Sequence, residues 1–177
     1  MSAGLTVAVL VLLGVTAAGG LLLTARGERL RPTWGAVLLS VLLAVAGVLA
    51  WVAHAAPHGL VAWVTVAAVL TAVAGGGPVA TAVLQAADPA AAGVVGGPQD
   101  PEILRGGAWI GALERGAVAG TLLAGWPEGL AVVLAVKGLG RYAELRAPAA
   151  AERFIVGTLA SGLWAVACVG IAVLVRS

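Results

Sequence analysis

Charge is almost confined to the joints between long apolar runs, and this pattern constrains the chain more than any other feature. Residues 5–23 carry no ionisable side chain, and neither do residues 34–51 or 60–84. Overall 10% of the 177 residues are charged and 61% are hydrophobic. A soluble domain of this size carries about 25% charged residues, so ten Lys/Arg and eight Asp/Glu cannot clothe it in water. Lipid around helices removes the difficulty, because a spanning helix satisfies its own backbone and needs no polar face.

The predicted fold is therefore all-α: a polytopic membrane bundle with six transmembrane helices. They lie at about 5–23, 34–51, 60–84 with a kink at 75–78, 108–126, 130–145 and 154–175. The chain reads as one integral membrane domain over 1–177. It divides into a first trio at 1–84 and a second trio at 108–177, and the second holds the intramembrane charges. Met1-Ser-Ala-Gly lacks the basic start of a secretory signal, so the first segment is read as a retained helix. For segments four and five the alternative is a re-entrant hairpin, because about sixteen residues fall short of the roughly 20 needed to cross hydrocarbon.

Positive charges orient the bundle. If the Arg26–Arg31 link is cytoplasmic, Arg26, Arg29, Arg31, Arg105, Arg146 and Arg153 all fall in cytoplasmic links, and only Arg176 lies outside. The expectation is a bacterial cytoplasmic membrane protein with both termini on the non-cytoplasmic side. Five of six tryptophans sit near predicted helix ends, as interfacial tryptophans do; Trp164 does not.

Ions inside the spans mark where a site would form. Glu114 and Arg115 lie in segment four. In segment five, Lys137, Arg141 and Glu144 follow i, i+4, i+7 spacing and share one helix face. A turn centred on Pro127–Gly129 sets Glu114 level with Arg141, the expected ion pair, with Lys137 one turn deeper and able to share the acid. Arg115 and Arg141 are placed within side-chain reach of the headgroups. Glu152 lies at the mouth of the cluster, and Thr158 and Ser161 supply hydroxyls. Gly157 with Ser161, and Gly116 with Gly120, are small-xxx-small pairs that permit close helix approach. Gly75, Gly76, Gly77 and Pro78 predict a kinked or broken third helix.

Residues 109–161 contain Ile110-Gly-Ala-Leu-Glu-Arg115, Ala135-Val-Lys-Gly-Leu-Gly-Arg141, Glu144-Leu145, Ala151-Glu-Arg-Phe-Ile-Val-Gly-Thr158 and Ser161. This stretch resembles the C-terminal membrane region of a family of bacterial multi-pass proteins carried as a domain of unknown function. The resemblance implies that Glu114, Arg115, Lys137, Arg141, Glu144, Glu152, Gly157, Thr158 and Ser161 form the family pattern. It implies no activity.

Three functions fit these residues. A structural or assembly subunit would use the charges as a packing network. A small transporter or channel subunit would use them as a polar cavity, and a lipid-binding or lipid-modifying enzyme would hold a headgroup there. No catalytic constellation, metal set or cofactor motif accompanies them. His54 and His58 have i, i+4 spacing, but Pro57 breaks the helix that would face them together. Cys168 is the sole cysteine, which excludes an intrachain disulfide. The basic residues are too dispersed to neutralise nucleic-acid phosphates. The partners implied are membrane lipids, with a second copy or another membrane protein as further candidates.

Overall fold

The computed structural model describes residues 2–26, 32–53, 56–88, 107–146 and 148–176. His54, the side chain of Glu144, residues 27–31 with Arg29 and Arg31, and residues 89–106 with Arg105 lie outside that description.

Among the described residues six α-helices form in chain order: α1 (Ser2–Arg26), α2 (Pro32–Ala53), α3 (His58–Ala87), α4 (Gly107–Leu123), α5 (Gly129–Gly140) and α6 (Pro148–Leu174). A short 3-10 turn, Glu144–Arg146, links the last two. No strand occurs among the described residues. Four helices, α1, α2, α3 and α6, are long and apolar enough to cross a membrane. Large apolar side chains also point outward along them: Leu21, Trp34, Trp63 and Leu163 are each at least 60% exposed. An apolar surface this extensive is stable against lipid and not against water. The protein is a helical membrane bundle.

α3 is the axis of the bundle, packing chiefly against α6 and α1 and also against α2 and α4. The centre is one buried cluster, mostly of small residues and valine: Val9 and Leu13 of α1, Val64, Ala68 and Ala72 of α3, and Ala165, Cys168 and Ala172 of α6. Close approach is built into the backbone. A methyl group on Gly20 of α1 would sit 2.7 Å from the Ala74 carbonyl oxygen of α3. Without it, the two helices touch backbone to backbone. Thr71 Oγ1 reaches across the same contact to 2.9 Å from the Leu13 carbonyl.

α3 and α6 run antiparallel, tied at both ends. Asp88, just past α3, accepts from Arg153 at 2.9 Å. At the opposite end the Ala56 amide donates to the Val175 carbonyl at 3.0 Å, and Arg176 Nη2 donates to Thr65 Oγ1 at 3.1 Å.

The second trio departs from expectation in its middle member. α4 has 17 residues and α5 has 12. At 1.5 Å per residue α5 is about 18 Å long against about 30 Å of hydrocarbon, so α5 cannot cross unaided. The helix expected to reach residue 145 stops at Gly140, where Gly138 and Gly140 weaken the last turn and Arg141's amide turns back to Gly138 and Leu139. Arg141 therefore leaves the helical stripe on which the i, i+4 spacing had set it beside Lys137.

The turn before α5 is also displaced. α4 ends at Leu123, and Gly125 takes φ 71°. The Trp126 amide donates to Thr121 O at 2.9 Å and the Gly125 amide to Leu122 O at 3.1 Å. That pair of bonds is a Schellman cap, which only a residue tolerant of the left-handed region supports cheaply. The hairpin is thus centred near Trp126 instead of Glu128, and the facing register moves by about one turn. Lys137, not Arg141, comes opposite Glu114.

Candidate intramembrane polar site

Pro78 lies inside α3, which nevertheless runs on as one helix from His58 to Ala87. Of the expected kink or break, the break does not occur, and the glycine–proline run forms a notch. Proline removes one donor and pushes the preceding turn open, and the glycines strip that turn of side chains. A methyl on Gly75 would sit 2.9 Å from Trp164 Cε2. One on Gly76 would sit 2.8 Å from Arg115 Nε and 3.1 Å from Trp164 Cδ1. Two large side chains from the second trio therefore lie directly on the α3 backbone. Gly77 has no such duty, since its nearest neighbours would be 3.7 Å away.

Arg115 fills this notch. Its side chain is buried, 7% exposed, and it donates to the Val73 carbonyl through Nε at 3.0 Å and Nη2 at 2.7 Å. Nη1 reaches Ser161 Oγ on α6 at 3.4 Å. Val73 and Ser161 stand at the midpoints of α3 and α6, so Arg115 occupies the middle depth of the bundle. The guanidinium is spent on oxygens of α3 and α6 instead of reaching towards the headgroups. Inserting Arg at this depth costs about 3 kcal/mol, whereas each charge-assisted bond contributes about 1.5–3 kcal/mol. Two such bonds to one carbonyl offset the insertion.

Trp164 is the second anchor, its Nε1–H donating to Thr71 O at 3.0 Å in a buried setting. Its exception to the interfacial pattern of the other tryptophans was the sequence signal for this role. Phe154, which sequence reasoning did not single out, lies under Lys137, with Nζ 5.7 Å from the ring centroid.

Lys137 of α5 donates to Glu114 Oε2 at 2.5 Å, and both side chains are about four-fifths covered. Of the two basic partners expected for Glu114, it is Lys137 and not Arg141 that meets it. Arg141 lies past α5 with its residue exposed, and Glu152 is exposed near the start of α6. The Arg153 beside it pairs with Asp88. The glycine expectations also change. Gly116 would place a methyl 4.0 Å from Val73, an ordinary contact, and Gly120 faces open space, so neither enforces close packing. At Gly157 a methyl would sit 3.3 Å from Leu84, so its close packing is against α3.

Between α4, α5 and α6 lies a cavity of about 30 Å³ whose polar lining is Glu114, Arg115, Lys137, Thr158 and Ser161. Thr158 Oγ1 is buried there without a hydrogen-bond partner. A larger space of about 730 Å³ between α2 and α6 is an apolar groove away from these charges. Its one hydroxyl, Ser40, is spent on the Ala36 carbonyl at 2.8 Å. The polar chemistry belongs to the small cavity. Among the described residues no group of His, Cys, Asp and Glu is arranged to hold a metal.

No protein-family model, curated protein or solved structure matches this chain.

Proposed function

We propose that this chain is a structural or assembly subunit of a bacterial cytoplasmic membrane, in which the central ions fasten a short hairpin onto a four-helix frame. The observation carrying this reading is the engagement of Arg115. At mid-depth its donors go to α3 and α6 of the same chain. Lys137 and Glu114 close on each other beside it. The cavity left between them has room for little more than a water-sized particle. An arrangement spent on internal contacts suits a rigid frame, and it leaves α5 presenting Val136 and Leu139, 65% and 74% exposed, to lipid, a second copy or another membrane protein. The likeness of residues 109–161 to a bacterial multi-pass family is part of the same proposal. Both termini sit on the non-cytoplasmic side in this reading, because a hairpin that returns to its side of origin and a pair of full spans give the same parity.

A small transporter is the second reading, favoured by one feature. A helix carrying the Gly75–Pro78 run at mid-depth, beside a hairpin whose second helix has only 12 residues, is akin to the interrupted helices at which carriers place their sites. Flux through proteoliposomes separates the two. The subunit reading expects wild-type vesicles to be as tight to protons, sodium and chloride as empty ones. Protein-dependent flux above the empty vesicles, abolished by Arg115→Gln, would transfer the assignment to transport.

A further inference from the structure

The charges lining the 30 Å³ cavity do not balance. Glu114 contributes one carboxylate against two cations, Arg115 and Lys137. Glu114 is already engaged by Lys137, and among the described residues no carboxylate lies within ion-pair distance of Arg115. Arg115 rests instead on a neutral carbonyl and a hydroxyl. Among the described residues one unit of positive charge therefore stands at mid-depth, its insertion offset by neutral dipoles but its charge without a counter-ion.

The remaining polar atoms around the cavity are donors. Thr158 has a buried hydroxyl with no partner. Ser161 Oγ accepts from Arg115, which leaves its own O–H to give. That Arg115–Ser161 contact is 3.4 Å, beyond the usual N–H···O range, so Nη1 retains donating capacity. A water molecule needs about 10–15 Å³ of such space, so this cavity admits one small particle and no oxyanion of phosphate size. A neutral water would satisfy Thr158 and leave the charge standing. A cation would add to it.

We propose that the cavity binds a single monovalent anion of halide size, with chloride the abundant occupant, held by the Thr158 and Ser161 hydroxyls and Arg115 Nη1. This holds whether the protein is a frame or a carrier, since a resident ion neutralises the site in either.

The test uses the full chain in detergent or nanodiscs, with chloride or bromide exchanged for gluconate at constant ionic strength. Halide should raise the thermal midpoint saturably, by on the order of 5–10 °C at a hundredfold excess over the half-effect concentration. Thr158→Val should raise that concentration by about tenfold, the discrimination of one lost hydrogen bond. Crystals grown in bromide should show an anomalous peak within hydrogen-bond reach of Thr158 Oγ1. Equal midpoints in gluconate and halide overturn the proposal. So does Thr158→Val raising stability equally in both salts, the result for a hydroxyl buried idle in an anion-free space. Should Thr158→Val fail to fold, the bromide map of the wild type decides: a peak supports the site, and water or empty density there sinks it.

Discussion

Arg115 and Val73 are separated by 42 residues, yet two nitrogens of the Arg115 guanidinium meet the single carbonyl oxygen of Val73 at 3.0 and 2.7 Å. The contact joins the two halves of the chain at the mid-depth of the bundle. The Val73 carbonyl can take these donors on the lone pair its helix leaves over, and Gly76 leaves space for the arginine stem.

Arg115→Gln should lower stability in detergent by about 2–4 kcal/mol, the loss of two charge-assisted bonds less what the amide recovers. Arg115→Lys should recover only part of the wild-type value, because an ammonium cannot present two fixed donors to one oxygen. Thermal unfolding followed by tryptophan fluorescence measures both, and a lysine variant as stable as wild type would show that the paired geometry is unimportant.

Glu114→Gln and Lys137→Gln should each destabilise the bundle, and the double substitution should cost less than the sum. The coupling expected for a largely covered ion pair is about 1–3 kcal/mol. An additive double mutant would mean that the 2.5 Å contact contributes nothing of its own. Arg141→Gln, in contrast, should show little coupling to Glu114.

Neighbouring glycines should behave oppositely. Gly76→Ala forces a methyl against Arg115 and Trp164 and should cost about 1–3 kcal/mol. Gly120→Ala meets open space and should be neutral or stabilising by up to about 1 kcal/mol, from helix propensity alone. Equal effects of the two substitutions on the unfolding midpoint would remove the notch from the account.

Gly125→Ala should cost about 1 kcal/mol, since the new side chain must adopt φ 71°. Gly125→Asn should cost less, because asparagine visits that region more readily. The readout is the same unfolding midpoint in detergent. If alanine proves the better tolerated of the two, the cap does not set the hairpin.

Much of the membrane character was legible in the sequence because it depends on local composition. A run such as residues 34–51 is apolar on every face, and no tertiary contact is needed to exclude it from water. Trp164 and the Gly75–Pro78 run also stood out individually, one as a tryptophan away from the interface and the other as a helix-weakening cluster. What the sequence did not reveal is that these belong together. Gly125 was the legible signal for the hairpin register, as a helix-terminating glycine two residues ahead of Pro127. Reading the turn from Pro127 instead moved the facing pairs by one helical turn and assigned Glu114 to Arg141.

The amino-acid order by itself determined which segments must be helical and lipid-facing, since backbone hydrogen bonds in hydrocarbon are local and solvation follows side-chain type. Tertiary structure alone decided which acid met which base, and that Arg115 would rest on a carbonyl of α3. Those outcomes depend on helix end points and inter-axial distances, where a shift of one turn moves a charge by about 5 Å. Local propensity does not discriminate at that scale, whereas packing of Gly20, Gly75 and Gly76 against their neighbours does.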